Sequence, residues 1–299
     1  MSTDRFEHHY VDVNAIRLHY ASHGQGRLIM FLHGFPEFWA AWEAQLSDFG
    51  RDHLAVAPDL RGYNLSSKPA DPKQYHVKIL VEDIRALLDH LGHERMVLVA
   101  HDWGGGVAWA FANRYPERLD KLVIINSPHP AVFARELLNS DQQQKASAYM
   151  NMFRQPDAEA KLSKDNFSYL ITALSKWGSK WRMSEALRQR YIEAWSQPGA
   201  LTGGLNYYRI SPVHPAVSKE EEQVLRQIAA LPRQTFEVKV PTLVLWGELD
   251  EALLPGNLDG LEEFVNDLTV RRMADGTHWV IHEQPELINA RIRAFIDSK

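Results

Sequence analysis

Asp102 lies in a stretch whose residue types could perform nucleophilic chemistry. The apolar run Met96–Ala100 predicts a buried strand, and it ends abruptly at His101-Asp102-Trp103. Three glycines follow at 104–106, and the apolar segment 107–112 predicts a buried helix. A strand, a tight turn and a helix form the context of a nucleophile elbow, in which small flanking residues let the two backbones approach closely.

The residue at the tip of this elbow decides which chemistry is available. The serine version serves esterases and lipases, whereas a carboxylate is already charged at neutral pH and needs no base to activate it. Asp102 could therefore displace a leaving group at a saturated carbon and form an alkyl-enzyme ester. Hydrolysis of that ester requires a base, an acid that orients the base, and an oxyanion hole.

These partners are predicted where later strands end. The strand 243–246 runs into Gly247-Glu248-Leu249-Asp250, and His278 follows the last predicted strand. His278 is the predicted base, and Asp250 is the predicted acid, with Glu248 a nearby competitor. The backbone N–H groups of Phe35 and Trp103 are predicted to form the oxyanion hole. His33 is interpreted as a structural hydrogen-bonding residue.

The remaining chain alternates predicted strands with predicted helices, which favours a mostly parallel sheet with helices on both faces. The first two strands, Val11–Asn14 and Ile16–Ala21, should pair antiparallel at one edge. Further strands are predicted at Leu28–Leu32, Leu54–Ala57, Leu122–Asn126, Val240–Trp246 and Leu268–Met273. Helices are predicted from near Trp39, over His76–Leu91 with Gly92 just beyond its end, within Pro255–Asn266 and over Glu286–Ile296.

The strand pattern is interrupted once. From Ser127-Pro128-His129-Pro130 to about Phe236 the chain is helical and polar in pattern. We therefore predict a hydrolase core of residues 1–128 and 237–299 and a helical lid insertion of residues 129–236. An insertion after the carboxyl end of a strand would lie over the nucleophile.

The composition suits a soluble enzyme. The chain has 299 residues and a net charge of −5, which argues against nucleic acid or an anionic membrane as a partner. It has no cysteine, so it forms no disulfide bond. The N-terminus is polar, and no apolar run reaches membrane-spanning length. A cytoplasmic protein is the expectation.

Four motifs together resemble the soluble epoxide hydrolases of the α/β-hydrolase superfamily. They are HGFPEFW at 33–39, DLRGY at 59–63, HDWGG at 101–105 and GTHW at 276–279. The resemblance extends from about Arg27 to the end of the chain and implies an α/β-hydrolase fold acting on a small-molecule epoxide. One departure is Asn64, since the usual Gly-Tyr-Gly-x-Ser turn reads Gly-Tyr-Asn-Leu-Ser here. Asn tolerates a positive φ, so we expect the turn to survive.

The resemblance also implies two lid tyrosines that protonate the departing epoxide oxygen. Tyr208 in Leu205–Arg209 and Tyr149 in Ser147–Pro156 match these positions. A phenol is protonated at neutral pH and is acidic enough to donate to an alkoxide. Together with Phe35 and Trp103, these tyrosines are expected to line the substrate site. The expected reaction yields a vicinal diol and needs no cofactor.

A dehalogenase is the main alternative. It would use the same Asp102, His278 and Asp250, with the indole of Trp103 holding the halide. Haloalkane dehalogenases usually have Asn in the oxyanion loop, where this chain has Phe35, and fluoroacetate-type enzymes have Arg where this chain has Trp103.

Other interpretations are weaker. A non-catalytic receptor on the same scaffold would keep the pocket but can lose the catalytic triad. This chain retains all three triad residues, which argues against a receptor. Gly104–Gly106 lacks nucleotide-binding spacing, and Asp102 would repel a phosphate. His278 and His282 are four residues apart but lack a third metal ligand, so no metal site is predicted. A homodimer is possible from the sequence.

Overall fold

The computed structural model describes residues 5–176 and 181–298, which contain an eight-stranded, mostly parallel sheet. Its strands are β1 (Glu7–Val13), β2 (Ile16–His23), β3 (Leu28–Leu32), β4 (Leu54–Pro58), β5 (Met96–His101), β6 (Leu119–Ile125), β7 (Thr242–Gly247) and β8 (Leu268–Met273). Their order across the sheet is β1-β2-β4-β3-β5-β6-β7-β8. The pairs β1–β2 and β2–β4 are antiparallel, and every other pair is parallel. The predicted strands and the antiparallel edge are confirmed.

The centre of this sheet is buried on both faces. Every residue of β3, β5 and β7 is buried, as expected for parallel strands that read as continuous apolar runs. Strand β6 begins at Leu119, three positions before the predicted start, and it ends before Asn126. The carboxyl ends of these central strands therefore meet in one region of the protein, where the predicted site residues lie.

The α-helices of the described residues cover this sheet and form the region between β6 and β7. They are α1 (Glu43–Phe49), α2 (Val77–His90), α3 (Trp103–Arg114), α4 (Pro130–Asn139), α5 (Asp141–Ala146), α6 (Tyr149–Phe153), α7 (Ala158–Lys176), α8 (Glu185–Ser196), α9 (Ala200–Ile210), α10 (Lys219–Ala229), α11 (Val280–Glu283) and α12 (Pro285–Ile296). Helix α1 packs against α12, and α2 packs against α3. No helix among the described residues is long and apolar enough to cross a membrane.

Helix α2 shows how local sequence sets the ends of an element. His76 is its N-cap, and its ring Nδ1 accepts a hydrogen bond from the backbone N–H of Lys78. Gly92 lies just past the helix with φ of 73°, the left-handed conformation that ends many helices. The predicted helix and its terminal glycine are both confirmed.

One predicted helix is wrong. No α-helix forms within Pro255–Asn266; the chain makes two 3₁₀ turns instead, Pro255–Leu258 and Leu261–Glu263. Gly260 separates them with φ of 74°, so a left-handed residue interrupts the segment after about one turn. The helical pattern near Trp39 is also divided, into a 3₁₀ turn at Trp39–Trp42 followed by α1.

Helices α4 to α10 all lie between β6 and β7, and the described residues of this region form no strand of the sheet. Helix α7 is not continuous. Its residues Asp165, Asn166 and Phe167 have φ of 48°, 53° and 61°, so the helix is kinked at this point. The two halves of α7 are therefore separate helical segments.

Glycines 104 and 106 provide a matched test of the close packing at the elbow. A Cβ at Gly104 would overlap the backbone carbonyls of Leu32 and His33, whereas a Cβ at Gly106 would meet only ring carbons of Trp103, the nearest at 3.6 Å. We expect Gly104→Ala to lower the free energy of unfolding by about 2 kcal/mol or more. Gly106→Ala should be neutral or stabilising by up to about 1 kcal/mol, since alanine favours a helix. Urea unfolding measures both, and equal effects would contradict this packing.

Candidate active site

Asp102 occupies the turn between β5 and α3 in a conformation that few residues adopt. Its φ is 50° and its ψ is −123°. Such a backbone costs about 1–3 kcal/mol and persists only where surrounding contacts hold it. Here the hydroxyl of Ser127 donates to the carbonyl of Asp102 at 2.7 Å, and the N–H of Gly106 donates to the same carbonyl at 3.2 Å. The turn projects the carboxylate at the carboxyl edge of the sheet.

The two carboxylate oxygens of Asp102 have different surroundings. Oδ1 accepts a hydrogen bond of 2.7 Å from the backbone N–H of Phe35. Oδ2 lies 3.6 Å from Nε2 of His278. One oxygen is thus fixed by a backbone donor of the predicted oxyanion loop, and the other is directed towards the imidazole.

His278 and Asp250 lie together as the sequence predicts. Nδ1 of His278 is 2.7 Å from Oδ2 of Asp250, and both side chains are buried. Oδ1 of Asp250 accepts the backbone N–H groups of Ala252 and Leu253, at 2.8 and 2.9 Å. Glu248 is instead near Arg272 on the surface, at 3.2 Å. The structure therefore brings Asp250, and not Glu248, to the histidine.

The charges of this cluster shift the protonation of His278. Burial lowers its pKa, but the carboxylates of Asp250 and Asp102 outweigh that effect and raise the pKa to about 9. Burial raises the pKa of Asp250, but His278 and the hydrogen bonds of the loop bring it below its ordinary value. In the free protein at neutral pH, an imidazolium therefore lies between two carboxylates.

Tyr149 and Tyr208 come from α6 and α9 and meet above Asp102. Their ring centroids are 6.2 Å apart, and Tyr208 packs edge-on against both Trp103 and Phe35. Burial raises the pKa of each phenol well above its ordinary value, and the charge of Asp102 raises both further. Both phenols are therefore protonated at neutral pH.

The neighbouring Tyr207 is not placed in the same way. Its hydroxyl donates to the carbonyl oxygen of Arg61 at 2.9 Å, so its polar atom is held against the core of the protein. Tyr208, one position later on α9, lines both cavities that reach Asp102, whereas Tyr207 lines only the larger one. The two adjacent tyrosines thus differ in what their hydroxyl groups can contact. From the sequence they are distinguished only by their positions within the motif.

Two groups near the site were missed from the sequence. Asn126 donates through its Nδ2 to Oδ2 of Asp250 at 2.8 Å, and its backbone has φ of 40°. Its position at the end of a strand, beside the other site residues, is the signal that could have identified it.

The second missed group surrounds Glu37, whose carboxylate is fully buried. Its Oε1 accepts hydrogen bonds from the Tyr191 hydroxyl at 2.8 Å and from Nε2 of His282 at 2.6 Å. Its Oε2 lies 3.5 Å from Nδ1 of His101, and Nε2 of His101 donates to the backbone carbonyl of His278 at 2.8 Å. Burial raises the pKa of Glu37, but the effect of the neighbouring histidines is larger, so the pKa lies well below its ordinary value. The signal in the sequence that could have identified Glu37 is its position as a charged residue within the mostly apolar motif 33–39.

The other histidines of the motifs have structural contacts. Nε2 of His33 accepts the backbone N–H of Leu60 at 3.1 Å, which agrees with the interpretation of His33 as a hydrogen-bonding residue. Within residues 5–176 and 181–298, no group of three or more histidine or acidic side chains is arranged to hold a metal ion.

Comparison with known proteins assigns this arrangement to a family. A family model described as the α/β-hydrolase fold matches residues 27–285. The chain is 36% identical over 301 residues to "Epoxide hydrolase 4" of Mus musculus, covering 97% of this chain and 79% of the relative. It is 34% identical to "Epoxide hydrolase 2" of Caenorhabditis elegans, with 98% and 80% covered.

Solved structures agree with these relatives. The crystal structure of a point mutant of an epoxide hydrolase from Bacillus megaterium, complexed with its product, a naphthyloxy-propane-1,2-diol, is similar with a TM-score of 0.90 and 39% identity. The match covers 97% of this chain and all of that one, 100%. Since similarity extends over nearly the whole length of both chains, it includes the elbow, the loops after the strands and the helices between β6 and β7.

The raised pKa of His278 predicts a pH-dependent contribution to stability. Because the folded-state pKa of about 9 exceeds the ordinary value of 6.5, the contribution is complete below about pH 6.5 and is lost as the pH rises through about 9. The advantage of the wild type over His278→Gln in urea unfolding should shrink by on the order of 3 kcal/mol between about pH 6 and about pH 9.5. A pH-independent difference would contradict the ion pairs described here.

Proposed function

This chain belongs to the α/β-hydrolase family and, within it, to the epoxide hydrolases, and from this premise we propose that it opens epoxides to vicinal diols through a covalent ester on Asp102. The observation that carries this proposal is the unequal placement of the two oxygens of Asp102. Oδ2 is available to attack, while Oδ1 already accepts the hydrogen bond that an ester carbonyl would need. The diol in the Bacillus megaterium complex is the kind of product that this reaction yields.

In the first step, Oδ2 of Asp102 attacks one carbon of the epoxide. The new carbon–oxygen bond forms as the bond from that carbon to the ring oxygen breaks, and the ring oxygen takes a proton from Tyr149 or Tyr208. The buried phenols are neutral before the attack, which supports their role as donors. The ester that forms keeps its carbonyl oxygen, Oδ1, beside the N–H of Phe35.

In the second step, His278 activates water. Alkylation removes the negative charge of Asp102, and this charge is one of those that raise the pKa of His278. The pKa of His278 therefore falls once the ester has formed, and its proton can pass to the tyrosinate. The neutral imidazole then takes a proton from water, whose oxygen attacks the ester carbonyl.

The tetrahedral intermediate places its oxyanion in the hole formed by the N–H groups of Phe35 and Trp103. Its collapse breaks the bond between the carbonyl carbon and Oδ2, which leaves with the substrate and takes the proton from His278. The diol departs with Oδ2 as one of its two hydroxyl oxygens. Asp102 keeps the oxygen of the attacking water and passes the remaining proton to His278, so it is again a carboxylate beside an imidazolium. Asp250 supports this cycle by its 2.7 Å contact with the imidazole, which fixes the ring and stabilises its charged form.

Residues 129–236 form the lid of this site in the proposal, over a core of residues 1–128 and 237–299. Tyr149 and Tyr208 both belong to this segment, whereas Asp102, Asp250 and His278 lie in the core. Contacts between Tyr191 and Glu37, and between Trp195 and the carbonyl of Pro36 at 2.6 Å, join the segment to the loop after β3. Substrate would bind between the two parts.

Product analysis of the purified protein tests the function. Epoxides should yield diols, and haloalkanes and haloacids should release no halide. Asp102→Asn should lower the rate of diol formation by about 10⁴-fold or more, because the carboxylate that forms the ester is lost. Intact-mass measurement controls for slow deamidation of the asparagine. Halide without diol would replace the proposal by a dehalogenase in which Trp103 holds the leaving group.

Adjacent tyrosines on α9 allow a matched test of proton donation. Tyr208→Phe should lower kcat/KM for epoxides by about 100-fold, because one of two donors to the leaving oxygen is lost. Tyr207→Phe removes the hydrogen bond to Arg61 and should lower the free energy of unfolding by about 1 kcal/mol, with a much smaller change in kcat/KM. Steady-state kinetics and urea unfolding give both values. A larger loss of kcat/KM in Tyr207→Phe than in Tyr208→Phe would show that Tyr207, and not Tyr208, is the proton donor.

A further inference from the structure

Two cavities of very different size meet at Asp102 in the described part of the chain. One has a volume of about 500 Å³ and the other of about 20 Å³. The residues that line both are Asp102, Tyr149 and Tyr208. These are the groups that would attack the epoxide and hold its oxygen, so a bound epoxide ring would lie where the two cavities meet.

The large cavity extends from this junction to the protein surface. Its walls are mostly apolar and include Leu80, Val107 and Phe133, and it reaches the exposed Val77 at the start of α2. Apart from Asp102 at its inner end, the charged side chains that line it are Lys78 and Arg114, which are exposed. A cavity of this volume is typical of sites for drug-sized molecules. It suits a bulky apolar group.

The small cavity lies on the side of His278. It is lined by Phe153, Tyr169, Leu170, Ala173 and Trp279, among others. The indole N–H of Trp279 donates to the carbonyl of Ala173 at 2.9 Å, and Trp279 and Leu170 are each only 1% exposed. This wall therefore joins the second half of α7 to the segment after β8 and leaves room for about one water molecule.

We propose that this active site selects terminal epoxides, with one bulky apolar substituent in the large cavity and an unsubstituted ring carbon towards the small one. The proposal rests on the epoxide-opening function above and names its substrate class. A substituent larger than a methyl group on the second carbon would overlap the wall formed by Leu170 and Trp279. It would also occupy the space beside His278 that the hydrolytic water needs.

Two isomeric epoxides, which have the same molecular formula and differ only in the position of the ring, test this selectivity. 1,2-Epoxydecane carries its whole chain on one ring carbon, whereas trans-5,6-epoxydecane carries a butyl group on each. We expect the wild-type kcat/KM for diol formation to be about 100-fold higher for 1,2-epoxydecane, because the second butyl group has no space. Equal values, or a preference for the internal epoxide, would overturn the proposal.

Two leucine variants locate the cause of the selectivity. Leu170→Ala removes three carbons from the wall of the small cavity and should raise kcat/KM for trans-5,6-epoxydecane by about 10-fold. Leu80→Ala makes the same change in the large cavity and should give no such gain on the internal epoxide. If Leu80→Ala gave the gain and Leu170→Ala did not, the assignment of the small cavity would be wrong.

The outcomes distinguish this proposal from the function on which it rests. Diol from both isomers at similar rates, or from neither while other epoxides react, overturns the selectivity and leaves the function intact. No diol from any epoxide overturns the function itself. Should Leu170→Ala fail to fold, the comparison of the two isomers with the wild type still decides the question.

Discussion

The site depends on one electrostatic arrangement, a buried imidazole between two carboxylates. Asp250 contacts one ring nitrogen of His278 at 2.7 Å, and Asp102 lies 3.6 Å from the other. Without a cation between them, the buried carboxylate of Asp250 and the largely covered carboxylate of Asp102 would repel each other, and their lost hydration would not be compensated. The imidazolium compensates both charges, and it can do so only if all three side chains are fixed. Much of the surrounding structure serves that requirement.

The supporting contacts come from elements far apart in the sequence. Asn126 and the backbone N–H groups of the loop after β7 hold Asp250. His101 donates to the carbonyl of His278 and lies beside Glu37, which also accepts a hydrogen bond from His282. The carboxyl ends of parallel strands lie at one edge of the sheet, so residues that directly follow different strands are close in space and can make these contacts.

The sequence predicts the parts of this arrangement that depend on local pattern. The strands that position Asp102 and Asp250 are continuous apolar runs followed by small or polar residues, and such runs predict buried strands directly. Asn126 and Glu37 were missed because their contacts join residues more than a hundred positions apart. The absent helix in Pro255–Asn266 has a local cause, a left-handed Gly260, but the sequence alone does not tell which glycines take that conformation.

The small cavity has no local signal in the sequence, because Tyr169, Leu170 and Ala173 reach it from the second half of α7, beyond a kink in that helix. The left-handed residues Asp165, Asn166 and Phe167 redirect the chain, and the ring of Phe167 packs against Trp195, whose indole donates to the carbonyl of Pro36. The loop that carries the N–H of Phe35, which donates to Oδ1 of Asp102, is therefore joined through these contacts to the helix whose second half lines the small cavity. In the proposed reaction, a substituent that displaced this wall would also disturb the hydrogen bond to Asp102. Under that proposal, substrate selectivity and catalysis depend on the same contacts.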